Sequence, residues 1–182
     1  MALIDDVAVA ALLYWTPSGA IFAVAIAGAE SFFNPRAQGD PWWSFPADQQ
    51  AVYLLYSCNG YTSIGAWQIN MRWHYPALNA ATGSWETCVW ATWLYNLDHS
   101  ASLAHAIWES SGFGAWSTFN SGAYLAYLDA ATVAVAFAAP PIGPPPGPLP
   151  PPGPVVPVEP PRQAVEPPWA AVTPPPVAIY PE

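Results

Sequence analysis

The chain's clearest pattern is the run 21–29, in which apolar residues and one glycine follow each other without a charge. A helix that is apolar on every side is typical of a buried helix rather than a surface helix. Thr16 suits the helix cap, and Pro17 suits the first turn, where the missing N–H of proline costs nothing. Beyond the run lies Asn34-Pro35, and the residue before a proline disfavours helical geometry. The pattern therefore predicts a buried helix over residues 17–32.

Helical spacing of apolar residues recurs along most of the following hundred residues. It predicts further helices over 2–14, 47–57 and 74–81, one from Ser84 through Leu94, one between Asp98 as cap and Gly112 as stop, and a last helix from Asn120-Ser121 toward Phe137. Strand signals are few: residues 61–70 follow an Asn59-Gly60 turn signal and are predicted as a short hairpin or a loop. Residues 34–41 are rich in turn formers. The sequence thus predicts one mainly α-helical domain over residues 1–139.

Composition changes abruptly at Pro140, because nineteen of the 24 prolines lie between this residue and the last one, Glu182. A proline-rich segment favours the extended polyproline II conformation and forms neither a regular helix nor a strand ladder. We therefore predict that residues 140–182 form a disordered or extended tail. The favoured interpretation is a stiff spacer, and a ligand for a proline-recognising partner is the alternative.

Charge limits the classes of partner. The chain has three arginines, no lysine and a net charge of −9. Without a basic patch there is nothing to neutralise phosphates, which argues against nucleic acid and against an anionic membrane surface as partners. The N-terminus lacks the positive start of a signal peptide, and no apolar run reaches the length that spans a bilayer. The expectation is a protein without a membrane span.

The two cysteines, Cys58 and Cys88, allow either a disulfide or two free buried thiols, and the sequence leaves both alternatives open. None of the three histidines has metal-ligand spacing to a cysteine, and no glycine-rich phosphate loop is present. We therefore expect no metal and no cofactor.

Glu30 is the first carboxylate after the apolar run, at the C-terminal end of the predicted buried helix. Poor solvation and the negative end of the helix dipole both disfavour the ionised form there. A glutamate held partly protonated near neutral pH is a candidate general acid. The alternative is a structural salt bridge, for which Arg36 is the cation nearest in sequence.

Three motifs follow in order along the chain. The first motif is Ala27-Gly28-Ala29-Glu30-Ser31, followed by Asn34-Pro35. The second is Gly65-Ala66-Trp67-Gln68-Ile69-Asn70. The third begins with Gly112-Phe113-Gly114-Ala115-Trp116 and continues with Phe119-Asn120-Ser121-Gly122. In order and spacing the chain resembles the lysozyme-like superfamily, most closely the soluble lytic transglycosylases and phage tail lysozymes. Their signatures read Glu-Ser…Asn-Pro, Gly-x-x-Gln-Ile and Tyr-Asn-x-Gly. The resemblance covers roughly residues 8–130, and it implies a lysozyme-like helical fold.

The resemblance implies cleavage of the β-1,4 bond between N-acetylmuramic acid and N-acetylglucosamine in peptidoglycan. Glu30 would protonate the glycosidic oxygen and then act as a base. The other residues that the resemblance makes candidates for substrate binding are Ser31, Gly65, Trp67, Gln68, Ile69, Asn70, Trp116, Asn120 and Tyr124. For Ser31 a backbone-bonded helix-end hydroxyl is an equal alternative, and for each tryptophan packing in the core is the alternative.

The chain departs from the family pattern at Phe119, where a tyrosine is usual, so a hydroxyl that could orient the glutamate is missing. Tyr124 is a possible replacement. Many glycosidases use two carboxylates, but Asp40 and Asp48 fall in no motif and are interpreted as exposed loop acids. Chemistry with one carboxylate, as in lytic transglycosylases, is therefore preferred. The 41–60 stretch resembles an insertion whose Trp42-Trp43 could extend a sugar cleft.

Two hypotheses follow. The first is a peptidoglycan-cleaving enzyme, carried on a phage particle or exported to the cell wall, whose partners are glycan strands and, through the tail, other virion or envelope proteins. The second is a structural or wall-binding protein that keeps the lysozyme-like fold without turnover. Glu30 with Ser31 and the Gln68–Asn70 segment favour the enzyme, whereas Phe119 favours the structural protein.

Overall fold

A computed structural model describes residues 4–139, and this part of the chain is mainly helical, as predicted. The predicted tail and the boundary at residue 139 lie at or outside the limit of the described residues. The helices of residues 4–139 are α1 Ile4–Leu12, α2 Pro17–Ser31, α3 Ala47–Leu55, α4 Met71–Thr82, α5 Thr87–Leu94, α6 Leu97–Ser111, α7 Ser117–Asn120 and α8 Leu128–Ala138. Short 3₁₀ turns cover Trp42–Ser44, Phe113–Ala115 and Ala123–Tyr127.

Helix α2 is the centre of the fold, and α1, α8 and the 3₁₀ turn Ala123–Tyr127 pack against it. Its middle, Ala23–Gly28, is buried on every side, as the unbroken apolar run predicts. Thr16 caps the helix by accepting a hydrogen bond from the N–H of Gly19, and proline follows in the first turn. The cap prediction is therefore confirmed.

Helix α2 ends at Ser31, before the proline signal at Asn34-Pro35. Phe32 and Phe33 both adopt positive φ, of 54° and 63°. The N–H of Phe32 donates to the carbonyl of Gly28, which closes the last turn of the helix. Left-handed geometry is uncommon for bulky residues and is held only where the surrounding structure enforces it. The chain therefore reverses directly after Glu30.

Some of the remaining helices begin or end at other residues than predicted, because other side chains cap them. Asn70 caps α4 through the N–H of Arg72, so this helix begins three residues before the predicted start. Asn96, rather than Asp98, caps α6, while Gly112 ends it as predicted. The predicted last helix is interrupted, because Gly122 takes a left-handed conformation between α7 and the turn before α8.

An antiparallel sheet of three strands lies beside the helices, in the order β1 (Gln38–Pro41), β2 (Tyr61–Ile64) and β3 (Ile69–Asn70). Gly39 pairs with Ser63, and Ser63 pairs with Asn70 on its other side. The hairpin alternative for residues 61–70 is thus confirmed. The turn-rich interpretation of residues 34–41 was incomplete, because β1 forms only by pairing with β2.

Cys58 and Cys88 form a disulfide that connects the chain after α3 to α5, so the alternative of two free thiols is wrong. None of the helices in residues 4–139 combines the length and apolar character that crossing a membrane requires.

Candidate active site

A polar cleft of about 420 Å³ opens between the C-terminal end of α2, the three strands and the α6–α7 connection. Its lining residues are Glu30, Gly39, Asp40, Ser63, Gln68, Asn70, Trp73, Ala115, Trp116 and Ser117. A larger and mainly apolar hollow of about 690 Å³ lies along α5 and shares none of these residues. That hollow has no carboxylate in its lining, so we assign the candidate chemistry to the smaller, polar cleft.

Glu30 lies partly buried at the wall of this cleft. Burial raises the pKa of the Glu30 carboxyl above its ordinary value, and the negative charge of Asp40 raises it further. The Thr118 hydroxyl donates a 2.7 Å hydrogen bond to Oε1 of Glu30, which stabilises the ionised form and partly lowers the pKa again. The net direction is upward, as the position at the end of a buried helix predicts. The partner of Glu30 is Thr118, not the Arg36 of the salt-bridge alternative.

The hydroxyl that Phe119 lacks is present on the preceding residue. Thr118 lies on α7 and reaches Glu30 across 88 positions of sequence. Phe119 instead stacks on Tyr124, with ring centroids 4.8 Å apart. Tyr124 therefore packs within an aromatic cluster that also includes Phe22. Thr118 is not among the site residues predicted from the sequence, and its only signal there is its place between the two parts of the third motif.

Asp40 is the second carboxylate of the cleft: it is exposed, as interpreted from the sequence, but it lies on a strand and not in a loop. It lies on β1 with a positive φ of 50°. The Ser63 hydroxyl donates to Oδ2 of Asp40, and Nδ2 of Asn70 donates to the Ser63 hydroxyl at 3.2 Å. Asp48, in contrast, is exposed in the first turn of α3, so it is a helix residue outside the cleft.

Two indoles connect the walls of the cleft. Nε1 of Trp67 donates to the carbonyl of Ala23 on α2, and Nε1 of Trp116 donates to the carbonyl of Trp67, both at 2.9 Å. Trp67 is only 1% exposed, so the structure places it in the core and not at the cleft surface. Trp116 is buried as well, yet it is among the residues that line the cleft.

The second motif forms a tight turn at the floor of the cleft. Gly65 has a φ of +85°, and a Cβ at this position would meet the carbonyl oxygen of Leu94 at 2.9 Å, so only glycine fits. Gln68 also takes a positive φ, of 47°, and its Nε2 donates to the carbonyl of Gly65. Gly65 therefore shapes the turn, whereas Gln68 and Asn70 line the cleft.

Other candidates lie outside the cleft lining. The Ser31 hydroxyl donates to the carbonyl of Ala27, which is the backbone-bonded alternative considered for this residue. Nδ2 of Asn120 donates to the carbonyl of Gly114 and holds the α6–α7 connection. Ile69 is buried and lines an adjoining pocket. Trp42 and Trp43, proposed as an extension of the cleft, pack edge-to-face on each other beyond β1.

The comparisons with known proteins contain no match: no protein-family model fits the chain, and no curated protein and no solved structure is significantly similar to it.

Proposed function

We propose that this protein cleaves the β-1,4 glycosidic bond between N-acetylmuramic acid and N-acetylglucosamine in peptidoglycan, with Glu30 as the general acid. The observation that supports the proposal is a partly buried glutamate, with a raised pKa, in the wall of a polar cleft. A general acid must be protonated near the working pH and must reach solvent-accessible substrate. The motif resemblance supplies the substrate class.

In the proposed reaction the Glu30 carboxyl gives its proton to the glycosidic oxygen as the C1–O bond breaks. The resulting carboxylate then accepts a proton from the group that attacks C1. In a lytic transglycosylase that group is a hydroxyl of the muramyl residue itself, and one carboxylate suffices. This is the preferred form of the proposal.

Asp40 supports hydrolysis as a second candidate. It lines the same cleft as Glu30, and its charge influences the Glu30 carboxyl. A second carboxylate can activate or position a water molecule for attack on C1, as in two-carboxylate glycosidases. The hydrogen bond from Ser63 orients Asp40 for this role. We place either activity at the bacterial cell wall, delivered on a phage particle or by export.

Release of soluble fragments from purified peptidoglycan tests the proposal. We expect release by the wild-type protein, and a rate about 10²- to 10⁴-fold lower for Glu30→Gln, because the amide cannot donate the catalytic proton. Asp48→Asn is the matched control, since it also replaces a carboxylate by its amide but on an exposed turn of α3. Binding to the wall without release by any variant would favour the structural alternative instead.

A further inference from the structure

The larger hollow, along α5, takes no part in the proposed reaction. Its volume of about 690 Å³ is within the range of roughly 300–1,000 Å³ that ligand-binding pockets span. It lies between the C-terminal end of α4, α5 and the start of α6, and its lining includes Ala81, Thr82, Val89, Thr92, Trp93 and His99. A mainly apolar hollow at the surface is typical of an interaction site. We call it the α5 hollow.

An aromatic pair belongs to the lining of the α5 hollow. The His99 ring lies flat on the Trp93 indole, with the ring centroids 4.6 Å apart and an interplanar angle of 10°. Nδ1 of His99 lies 3.3 Å from the carbonyl oxygen of Trp93, and because a carbonyl only accepts, the imidazole donates this hydrogen bond. The stack and the hydrogen bond together fix the orientation of the pair. Aromatic-lined grooves bind proline-rich segments, because the polyproline II conformation of such a segment is already formed before binding.

The α5 hollow is suited to an uncharged ligand. None of the described residues that line it is a lysine, an arginine, an aspartate or a glutamate. The acids nearest to it along the chain are Glu86 and Asp98, which are exposed at the starts of α5 and α6 and lie outside the lining. Their negative charges disfavour an acidic ligand.

Residues 140–158 of this chain have a matching composition. They include eleven prolines and no charged residue, and their sequence predicts the polyproline II conformation, although they lie outside the described residues. A polyproline II helix has three residues per turn, so every third residue shares a face. Every third residue of 145–157 is a proline: Pro145, Pro148, Pro151, Pro154 and Pro157. The pattern therefore predicts an unbroken proline face about 37 Å long, at about 3.1 Å per residue.

We propose that the α5 hollow of one copy of this protein binds the proline face of residues 145–157 of a second copy, so that copies associate head to tail. The stacked Trp93 and His99 rings are the surface on which the proline rings pack. The contact is heterologous, because the hollow and the proline face are different surfaces. The inference does not depend on the proposed function, since neither surface includes a residue of the catalytic cleft.

Charge favours this pairing between copies. Two chains of net charge −9 repel each other. The lining of the α5 hollow and residues 140–158 both lack Lys, Arg, Asp and Glu, so their contact places no like charges opposite each other. The rest of the tail, residues 159–182, is less suitable because it carries three glutamates and one arginine.

The test is sedimentation equilibrium of the full chain, with and without a synthetic peptide of residues 140–158. We expect association that increases with protein concentration and that an excess of the peptide reverses. Val89→Asp places a carboxylate in the hollow at a position that is 38% exposed, and it should weaken association by about tenfold or more, equivalent to about 1.4 kcal/mol. Val133→Asp makes the same change on α8, at a position that is 55% exposed and outside the hollow, and it should leave association unchanged.

Two variant peptides test the proline face in calorimetric titrations into the full chain. One carries Pro148→Ala and Pro151→Ala, which interrupt the proline face. The other carries Pro146→Ala and Pro152→Ala, which remove the same number of prolines from a different face and so weaken the polyproline II preference equally. We expect the first peptide to bind about fivefold more weakly than the second, equivalent to about 1 kcal/mol.

A full chain that sediments as a monomer at every concentration would overturn the inference. Equal association of the wild type and Val89→Asp, with unchanged circular dichroism, would do the same, as would equal binding of the two variant peptides. A larger effect of Val133→Asp than of Val89→Asp would place the contact on α8 and would also contradict the proposal.

Discussion

The hydrogen bond between Thr118 and Glu30 gives the sharpest prediction about the site. Thr118→Val removes the hydroxyl and keeps the shape of the side chain. A hydrogen bond to a charged group contributes about 1.5–3 kcal/mol. Because Glu30 is only partly buried and solvent screens its charge, we expect a cost at or just below the lower end of this range, about 1–2 kcal/mol, at a pH where Glu30 is ionised. Where Glu30 is protonated, the bond is neutral and its loss costs about 1 kcal/mol or less.

The same substitution has a defined effect on the pH profile. The Thr118 hydroxyl stabilises the ionised carboxylate, so its removal raises the pKa of Glu30 further above the ordinary value. The proton needed for catalysis is then retained to higher pH. We expect the alkaline limb of the rate profile to move to higher pH in Thr118→Val.

The free energy of the interaction between Thr118 and Glu30 is measured by a double-mutant cycle. Its four proteins are the wild type, Thr118→Val, Glu30→Gln and the double variant, each unfolded in urea. The coupling free energy from this cycle should be larger above the alkaline limb of the rate profile, where Glu30 is ionised, than at acid pH, since the interaction is with the charge. An equal cost of Thr118→Val in both backgrounds at a pH where Glu30 is ionised would refute the reasoning. So would an alkaline limb that stays in place or moves to lower pH.

Three further predictions concern the surroundings of the site. Asp40→Asn removes a negative charge that raises the pKa of Glu30, so the alkaline limb should move to lower pH, opposite to Thr118→Val, in the same rate assay. Trp116→Phe removes the hydrogen bond from Nε1 of Trp116 to the carbonyl of Trp67, and it should lower the free energy of unfolding in urea by about 1–3 kcal/mol. An unchanged free energy of unfolding would contradict a stabilising role of this hydrogen bond. The Cys58–Cys88 bond spans 30 positions, so its reduction should cost about 3–4 kcal/mol, measured by denaturation with and without a thiol reductant.

Local signals were sufficient to predict where most of the helices lie, although not all of their ends. The apolar run of α2 needs a buried environment, and Thr16 with Pro17 marks its start through chemistry confined to a few residues. Gly112 ends α6 with a positive φ. Asn59 and Gly60, in the turn before β2, both have positive φ as well. Glycine and asparagine are common at such positions because they tolerate left-handed geometry. The raised pKa of Glu30 followed from its place at the end of a buried helix.

Contacts between distant segments could not be predicted. Strand β1 has few strand-forming residues and is held by pairing with β2, so Asp40 reaches the cleft through a partner more than twenty positions away. Thr118 meets Glu30 only because α7 folds back on α2. Trp73 lines the cleft from the first turn of α4, a turn that the apolar spacing does not predict and that Asn70 caps. Each depends on tertiary packing rather than on a local pattern.

Mass spectrometry of the fragments released from purified peptidoglycan by the wild-type protein, Glu30→Gln and Asp40→Asn tests the central claim most directly. The account predicts muropeptides cut between N-acetylmuramic acid and N-acetylglucosamine by the wild type, and almost none with Glu30→Gln. Anhydromuramyl ends that persist in Asp40→Asn would establish the transglycosylase form. Reducing ends that disappear in Asp40→Asn would establish hydrolysis with two carboxylates. Intact glycan strands after treatment with well-folded wild-type protein would contradict the claim that Glu30 is a catalytic acid.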